Sequence, residues 1–234
     1  MINITNLSKH YGKHKVVDGL SLTIDTGTIF GFLGPNGAGK TTTMKMLVGL
    51  SRPDAGTITI GKNNITEITA KSQIGYMPED PYFYDHLHAL EFLEFMNELF
   101  PKNLRHSNQD LTQTLKLVGL DSARNKKIKH FSKGMKQRLG LAQSLVNDPG
   151  YIFLDEPLDG LDPIGRREFK EIILGLKKRG KTVFFNSHIL SDVEELCDAI
   201  GIIHHGHLIY EGPVKQFMKG KPLETRFVET ITNA

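Results

Sequence analysis

A glycine-rich loop at residues 34–41, GPNGAGKT, is the segment whose residue types and spacing most clearly indicate chemistry. Glycine adopts backbone angles that other residues avoid, so successive N–H groups in such a loop can converge on one phosphate. The pattern G-x-x-x-x-G-K-[ST] has this meaning between a strand and a helix, and the flanking residues predict both. We therefore expect Lys40 to reach the β- and γ-phosphates of a nucleotide and the Thr41 hydroxyl to bind Mg²⁺. The predicted nucleotide-binding residues of the loop are Gly34, Pro35, Asn36, Gly37, Ala38, Gly39, Lys40, Thr41 and Thr42.

Two adjacent carboxylates follow an apolar run, YIFLD at Tyr151–Asp155 and then Glu156. The run predicts a buried strand that ends in oxygen ligands of the kind Mg²⁺ prefers. We expect Asp155 to hold the metal, directly or through water, and Glu156 to polarise the attacking water. The structural alternatives are a helix-capping turn for the loop and an acidic turn before Pro157 for the carboxylates. The Lys-Thr pair of the loop argues against the first and the loop itself against the second, so the two motifs together predict a nucleoside triphosphatase.

Residues 131–139, FSKGMKQRL, indicate which kind of triphosphatase this is. The segment resembles the signature turn of the ATP-binding cassette (ABC) family, with Ser132 and Gly134 at the matching positions and Lys133 where a glycine is common. A helix N-terminus with a small hydroxyl can bind an anion. The resemblance implies a head-to-tail dimer, in which Ser132 and Gly134 of one subunit close on the γ-phosphate held by the other. Without the other motifs, the segment could also be a plain basic helix start.

Further motifs that resemble those of the ABC family follow in the family's order. His188, after the apolar run TVFFN, matches the switch histidine that contacts the γ-phosphate, and residues 160–162 match the loop that touches the partner subunit. Tyr11 stands where the family places an aromatic residue that stacks on adenine. Glu79 stands where the family usually has a glutamine, and it offers an oxygen to Mg²⁺ or to water. The alternatives are a structural histidine, a helix cap at Asp162, a packed tyrosine and a solvated acidic turn.

The elements that must position these motifs predict an α/β fold. Residues 2–33 alternate between apolar and polar with glycine breaks, which predicts several strands, and the resemblance implies an N-terminal antiparallel β-subdomain. Further along the chain, alternating strands and helices predict a P-loop triphosphatase core with a mainly parallel sheet covered on both faces. Helical spacing of apolar residues predicts a helical insert at about 86–130. We expect a single nucleotide-binding domain over residues 1–220 and a short C-terminal tail over residues 221–234.

Two helix starts can be located from capping patterns. Asp162 followed by Pro163 predicts an N-cap with proline at the first helical position. Ser191 with Glu194 three residues later predicts a capping box. Both patterns place a helix shortly after a motif that carries chemistry.

Composition excludes several classes of protein. Of the 234 residues, 39% are hydrophobic and 24% are charged, and the formal net charge is +3, which is ordinary for a globular domain. A single cysteine cannot form an internal disulfide, which fits a reducing cytosol. No apolar run approaches the roughly 20 residues that span a bilayer, and the N-terminus lacks the apolar core of a signal peptide. We therefore expect a chain that is soluble by itself and needs a partner for any membrane role.

The resemblance covers roughly residues 11–212 and implies an ATP-binding and hydrolysing subunit that powers export through a separate integral membrane permease. The motifs look most like those of subunits that serve drug, polysaccharide or other exporters. The implied ligands are ATP and Mg²⁺, and the implied partners are a second copy of the subunit and the permease. Such a subunit lies at the cytoplasmic face of the plasma (inner) membrane, where its membrane partner holds it.

Other classes of ABC ATPase are the alternatives. Translation-associated members usually carry two cassettes in one chain, and chromosome-maintenance members split their motifs with a long coiled coil, whereas this sequence has one cassette and no sustained heptad repeat. A regulator that binds ATP without turnover would commonly lack Glu156. The basic run at residues 124–138 could contact nucleic acid or lipid, but no aromatic residues are interleaved as in a base-stacking surface. A solvated face is favoured there, and we expect no nucleic-acid partner.

Overall fold

The structure of the chain is a computed structural model that describes residues 1–233. Across that span it contains ten strands and nine α-helices. The strands are β1 (Ile2–Tyr11), β2 (His14–Ile24), β3 (Ile29–Leu33), β4 (Ala55–Ile60), β5 (Asn63–Asn64), β6 (Ile74–Met77), β7 (Tyr151–Asp155), β8 (Thr182–Asn186), β9 (Ala199–His204) and β10 (His207–Pro213). The helices are α1 (Lys40–Leu47), α2 (Ile68–Lys71), α3 (Ala89–Glu98), α4 (Asn108–Leu117), α5 (Lys133–Ser144), α6 (Pro163–Lys178), α7 (Leu190–Leu196), α8 (Val214–Met218) and α9 (Leu223–Thr232). Within these 233 residues, no helix combines the length and the apolar composition that crossing a bilayer requires.

The N-terminal sheet is antiparallel and has the strand order β2-β1-β4-β5. Apolar residues alternate with polar ones along its strands because successive side chains of a strand point to opposite faces. Ile4 of β1 pairs with Leu22 of β2 and with Ile58 of β4, and all three residues are at most 3% exposed. These side chains form one apolar ridge across the sheet. The expected N-terminal antiparallel β-subdomain is confirmed.

The central sheet has the strand order β10-β9-β3-β8-β7-β6, and every neighbouring pair is parallel except β10 with β9. One face packs on the N-terminal sheet through Phe30, Phe153 and Phe184, and the opposite face packs on the helices. All residues of β3, β7 and β8 are therefore buried, which explains their continuous apolar runs. The mainly parallel sheet is confirmed. Since parallel strands end at the same edge, the loops after β3, β7 and β8 lie side by side.

Helices α3, α4 and α5 pack together beside the central sheet. Buried Phe92 of α3 and Leu115 of α4 belong to the same apolar core as the residues of β7 that face the helices. The bounds of the insert, about 86–130, and of the domain, 1–220, stay predictions. Within the region predicted as a tail, 221–234, helix α9 is anchored by the buried side chain of Leu223.

One of the two predicted helix starts is confirmed and the other is wrong. The side chain of Asp162 accepts a hydrogen bond from the Gly165 N–H at 2.6 Å, and α6 begins with a proline as predicted. Helix α7 begins one residue before Ser191, so the predicted capping box does not form. Glu194 instead accepts a hydrogen bond from the Leu223 N–H at 3.0 Å. A contact with α9 thus uses the carboxylate that the local pattern assigned to the helix start.

Candidate active site

A cavity of about 430 Å³ lies at the edge of the central sheet where β3, β7 and β8 end. Most of the predicted site residues form its wall, together with Val16 of β2. The predicted residues in the wall are Asn36, Gly37, Gly39, Lys40, Thr41, Thr42, Glu79, Glu156 and His188. Gly34, Pro35 and Ala38 belong to the same loop but do not line the cavity, and Asp155 lies next to Glu156 in the chain without lining it.

The loop between β3 and α1 packs so closely on neighbouring strands that two of its glycines have no room for a side chain. A Cβ atom at Gly34 would lie 2.3 Å from the Ile203 carbonyl oxygen, and one at Gly39 would lie 2.7 Å from the Val16 carbonyl oxygen. Gly39 also has a φ of +112°, which L side chains rarely adopt. The loop is therefore held against β9 and β2, and helix α1 begins at the cavity wall with Lys40. The positive end of a helix at this point favours an anion.

Lys40 is folded back against the loop that precedes it. Its Nζ donates to the Gly34 carbonyl oxygen at 2.7 Å and to the Pro35 carbonyl oxygen at 3.2 Å, and the residue is 9% exposed. Burial lowers the pKa of the ammonium group, whereas the charges of nearby carboxylates, chiefly that of Glu156, raise it. A largely buried ammonium group whose acceptors are neutral carbonyls gains from an anionic ligand. This arrangement fits the binding of a triphosphate.

Asp155 is a buried carboxylate with one side-chain donor. The residue is 2% exposed, and Asn186 Nδ2 donates to Asp155 Oδ1 at 2.9 Å. Burial raises the pKa of the Asp155 carboxyl, the hydrogen bond from Asn186 lowers it, and the charge of Glu156 raises it further. A cation beside Asp155 would offset both of the unfavourable effects.

The oxygen atoms of the site fit Mg²⁺ that is held together with a nucleotide. Across residues 1–233, no three His, Cys, Asp or Glu side chains converge to form a metal cage. Mg²⁺ commonly binds through one or two carboxylates together with the phosphates of a substrate. Thr41 and Glu79 line the cavity, Asp155 is adjacent to it in the chain, and the buried Oδ1 of Asn186 has no hydrogen-bond partner. The residues present therefore fit the predicted cation.

Glu156 and His188 form a hydrogen-bonded pair at the cavity wall. Both the backbone N–H and the ring Nδ1 of His188 donate to Glu156 Oε2, at 3.2 and 2.9 Å. We assign the proton to Nδ1 because its partner is a carboxylate oxygen. Glu156 has a φ of +48°, and its N–H donates to the Asn186 carbonyl oxygen at 3.2 Å. Strained backbone of this kind clusters at functional sites, and here it sets the direction of a carboxylate that remains 13% exposed.

Besides Gly34, Pro35, Ala38 and Asp155, three more predicted ligands do not line the cavity. Tyr11, at the end of β1, is 51% exposed, and Lys9 Nζ lies 5.7 Å from the centre of its ring. Ser132 caps α5, where its hydroxyl accepts a hydrogen bond from the Met135 N–H at 3.2 Å, and Gly134 lies in the first turn of the same helix. Neither the tyrosine nor the two residues of the signature turn contribute to the wall within one subunit.

Val16 and Asn186 contribute to the site, and Tyr76 lies close enough to two of its carboxylates to feel their charge, although the sequence did not single these residues out. Val16 is a wall residue, and burial together with the charges of Asp155 and Glu79 raises the pKa of Tyr76 to about 12. Asn186 contacts Asp155 directly because the two residues are paired in the β7–β8 ladder. Its position at the end of the run TVFFN, two residues before the switch histidine, was the available signal. The pairing register that gives this position its meaning is not readable from the run alone.

The sequence profile of the family described as ABC transporter matches residues 17–159 of the chain. That span contains the phosphate loop at residues 34–42, the signature turn at residues 131–139 and both strand-end carboxylates. It covers more than half of the 234 residues.

The chain is also similar to several curated ATP-binding proteins. It is 47% identical over 201 residues to an uncharacterized ABC transporter ATP-binding protein of Synechocystis. That alignment covers 85% of this chain and 57% of the Synechocystis protein. It is 44% identical over 224 residues to the bacitracin transport ATP-binding protein BcrA of Bacillus licheniformis, with 94% and 72% covered. It is 39% identical over 231 residues to the lantibiotic transport ATP-binding protein SrtF of Streptococcus pyogenes, with 99% and 97% covered. The chain thus spans about three fifths of the Synechocystis protein and nearly all of SrtF.

Solved structures show the same fold. An ATP-binding subunit of an ABC transporter matches with a TM-score of 0.88 at 28% identity, over 98% of this chain and 99% of that one. A dimeric post-hydrolysis ATP-binding cassette bound to ADP and Pi matches with a TM-score of 0.82 at 22% identity, over 91% and 98%. The second similarity concerns the fold alone.

Proposed function

This chain belongs to the ABC transporter family and carries its ATP-binding domain, and we propose that it hydrolyses MgATP as a dimer to power export through a separate membrane subunit. One observation carries the enzymatic part of the proposal. Glu156, directly after buried strand β7, is fixed by His188 at the wall of the cavity that the phosphate loop also lines. Strained backbone that directs a carboxylate towards a phosphate-binding cavity supports ATP hydrolysis rather than ATP binding alone.

In the proposed reaction the loop and Lys40 bind the β- and γ-phosphates of ATP. Lys40 exchanges its two carbonyl acceptors for phosphate oxygens, and helix α1 adds the attraction of its positive end. The residues that would hold Mg²⁺ are Thr41, Asp155 and Glu79. When bound, Mg²⁺ neutralises charge that develops on the phosphates.

Glu156 acts as the base in this proposal, and His188 positions it. The Glu156 carboxylate orients a water molecule for attack on the γ-phosphorus and accepts its proton. The bond from the γ-phosphorus to the β,γ-bridging oxygen breaks, so the products are ADP and inorganic phosphate. His188 keeps the carboxylate in place through its Nδ1–H, and a doubly protonated ring would also donate from Nε2 to the γ-phosphate.

The positions of the remaining predicted ligands support a dimer. Ser132 and Gly134 lie at the start of the 12-residue helix α5 and do not line the cavity of their own subunit. A helix N-terminus favours an anion, which makes this turn suitable for a phosphate. In the proposal, the turn of each copy completes the cavity of the other, and the head-to-tail pair closes on itself. Tyr11, half exposed on the hairpin that also carries Val16, stacks on the adenine.

An exposed apolar patch supports docking of a membrane subunit. We define the aromatic patch as Tyr82, Tyr84, Phe95 and Leu99, of which Tyr82 is 84% and Leu99 is 65% exposed. The rings of Tyr84 and Phe95 meet edge to face at 5.4 Å, and a cavity of about 420 Å³ extends along residues 81–86. Exposed apolar groups that cluster in this way mark interaction surfaces. The patch begins at Tyr82, three residues after Glu79. Binding of a permease segment to the patch would therefore be coupled to the nucleotide site through Glu79.

The names of two relatives support transport of a drug-type substrate. BcrA is named for bacitracin transport and SrtF for lantibiotic transport. We place the subunit at the cytoplasmic face of the plasma membrane, where the permease holds it. Purification of a tagged chain from native membranes should recover an integral membrane protein with it. Recovery of ribosomes or DNA without any membrane protein would favour the non-transport classes of ABC ATPase.

Turnover of ATP tests the enzymatic proposal. Lys40→Ala removes the phosphate-binding cation, and Glu156→Gln removes the base without changing the size of the side chain. Loss of one preorganised group of this kind costs about 100-fold or more in kcat. Lys62→Ala removes an exposed lysine in the turn after β4 and serves as the control. Turnover equal to that of the unchanged chain in both site variants would remove the assigned roles.

Closure of the dimer is tested with the same Glu156→Gln variant, which should bind MgATP without consuming it. Size-exclusion chromatography with MgATP should show a dimer, and chromatography with EDTA should show a monomer. Adding Ser132→Glu to this variant should abolish the dimer, because a carboxylate would replace the small hydroxyl and repel the partner's phosphate. A monomer under all conditions would count against the head-to-tail arrangement.

A further inference from the structure

Asn186, the last residue of β8, joins the two carboxylates of the site. The residue is fully buried, and its Nδ2 donates to Asp155 Oδ1 at 2.9 Å. Its backbone carbonyl accepts a hydrogen bond from the Glu156 N–H at 3.2 Å. In the central sheet it pairs with Asp155 on one side and with Phe32, two residues before Gly34, on the other. One amide side chain therefore stands between the strand that ends in the carboxylates and the strand that leads into the phosphate loop.

The oxygen of the Asn186 amide has no partner. Among the described residues, no donor lies within hydrogen-bond distance of this buried Oδ1. A buried amide oxygen without a donor is costly, and native proteins avoid one unless a water or a ligand supplies the donor. Rotating the amide does not relieve the cost, because its oxygen would then face the carboxylate of Asp155, which is itself an acceptor. The oxygen is therefore an acceptor that no described residue satisfies, at a buried position next to Asp155 that is not itself part of the cavity wall.

We propose that the Asn186 amide is an outer-sphere ligand of the nucleotide-bound Mg²⁺, in which Nδ2 orients Asp155 and Oδ1 accepts a hydrogen bond from a water molecule on the metal. The inference rests on the proposed binding of MgATP and adds a positioning residue to it. Mg²⁺ gives up its waters reluctantly and keeps several of them in protein sites, so it brings donors with it. Partners of this kind orient the direct ligands of a metal and contribute to its affinity.

The test measures metal dependence of binding and needs no turnover. Asn186→Ala and Asn186→Leu are compared with the unchanged full chain, using a fluorescent ATP analogue that is not hydrolysed. The analogue is titrated first in EDTA and then at a fixed concentration against increasing Mg²⁺. We expect the affinity in EDTA to stay close to that of the unchanged chain, and the Mg²⁺ concentration at half-maximal effect to rise about 10–100-fold. With Mn²⁺ in place of Mg²⁺, paramagnetic resonance should show the same loss of bound metal.

Thr182→Val is the matched control for loss of a buried hydrogen bond. Thr182 is the first residue of the same strand and is fully buried, and its hydroxyl accepts a hydrogen bond from the Gly27 N–H at 2.9 Å. This variant should unfold at a lower temperature and keep the original Mg²⁺ dependence. If both Asn186 variants behaved in the same way, Asn186 would be only a structural link between strands and the proposal would be overturned. If neither folds, Asn186→Ser gives the same comparison with a smaller change in volume.

Lys40→Ala separates failure of this inference from failure of the proposed function. If Lys40→Ala and the unchanged chain bind the analogue equally poorly with Mg²⁺, the MgATP site itself is wrong, and the inference falls with it. If Lys40→Ala loses binding while Asn186→Ala keeps the original metal dependence, only the role of Asn186 is overturned.

Discussion

Replacing Asp155 by asparagine should stabilise the ligand-free protein and weaken its binding of metal. Asp155 is 2% exposed, and the Nδ2 of Asn186 donates to its carboxylate. The pKa of this carboxyl is raised, mainly by burial and further by the charge of Glu156. The hydrogen bond from Asn186 and the charges of Lys45 and Lys40 lower the pKa and offset part of that rise. An asparagine keeps the oxygen that accepts from Asn186 but has no charge to desolvate.

The size of the gain follows from what differs between the two side chains. The hydrogen bond from Asn186 is present in both, so it largely cancels in the comparison. Burial of a polar group without full compensation costs about 1–3 kcal/mol, and the attraction of two lysines offsets part of this for the carboxylate. We therefore expect a net gain of about 1 kcal/mol for Asp155→Asn. For a domain of this size, that corresponds to a rise of about 2–4 °C in the unfolding temperature.

The gain depends on pH in a fixed direction. Since the pKa of Asp155 is higher in the folded than in the unfolded protein, the folded protein binds more protons, and stability of the unchanged chain falls as the pH rises through this interval. Asp155→Asn lacks this effect, so its advantage is complete above the folded-state pKa and disappears below the ordinary value of 3.8. Thermal unfolding in EDTA at neutral pH and near pH 4 measures it. Asp25→Asn, at an exposed position, is the control and should shift the unfolding temperature little.

Adding MgATP should reverse the order of stability. A ligand at 100 times its Kd stabilises the folded state by about 2.7 kcal/mol, and Asp155→Asn should gain less because it offers the metal an uncharged amide. Lower stability of Asp155→Asn in EDTA at neutral pH would refute the argument from burial. Equal stabilisation of both proteins by MgATP would refute the role of Asp155 in holding the metal.

Three further predictions concern the loop, a helix and the switch histidine. Gly39→Ala should lower the free energy of unfolding by about 1–3 kcal/mol in denaturant and abolish nucleotide binding, because its φ is +112° and its Cβ would lie 2.7 Å from a backbone oxygen of β2. The control is Gly150→Ala, where a Cβ would have nothing within 4 Å and the free energy of unfolding should change by less than about 0.5 kcal/mol. Gly175→Ala, inside α6 and also without a neighbour within 4 Å, should gain about 0.5–1 kcal/mol, and an unchanged urea midpoint would contradict this. His188→Ala should lower kcat about 100-fold with little change in ATP affinity, and an unchanged kcat would argue against its positioning of Glu156.

Contiguous patterns predicted the parts of the site that depend on local sequence. The phosphate loop needs only the strand before it and the helix after it, and β3 and α1 lie where the pattern requires them. The apolar run at Tyr151–Asp155 likewise predicted a buried strand ending in carboxylates. Alternation of apolar and polar residues over residues 2–33 predicted several strands, of which β1 and β2 now pair in an antiparallel sheet. In each case the same few neighbouring residues set both the backbone and the chemistry.

Contacts between distant segments could not be predicted in this way. Glu156 and His188 are 32 residues apart, and the strand order that brings β7 next to β8 decides that they touch. The role of Asn186 depends on the pairing register of these strands. Glu194 was assigned to a capping box, but a contact with α9 uses it instead. Tyr11 and the signature turn lie outside the cavity of their own subunit, so their roles depend on ligand and partner.

A nucleotide-bound structure of the Glu156→Gln variant with MgATP tests the central claim most directly. The account predicts two copies that enclose two triphosphates, each gripped by Lys40 of one copy and touched by Ser132 of the other. Triphosphates that Ser132 does not approach, from either copy, would contradict it.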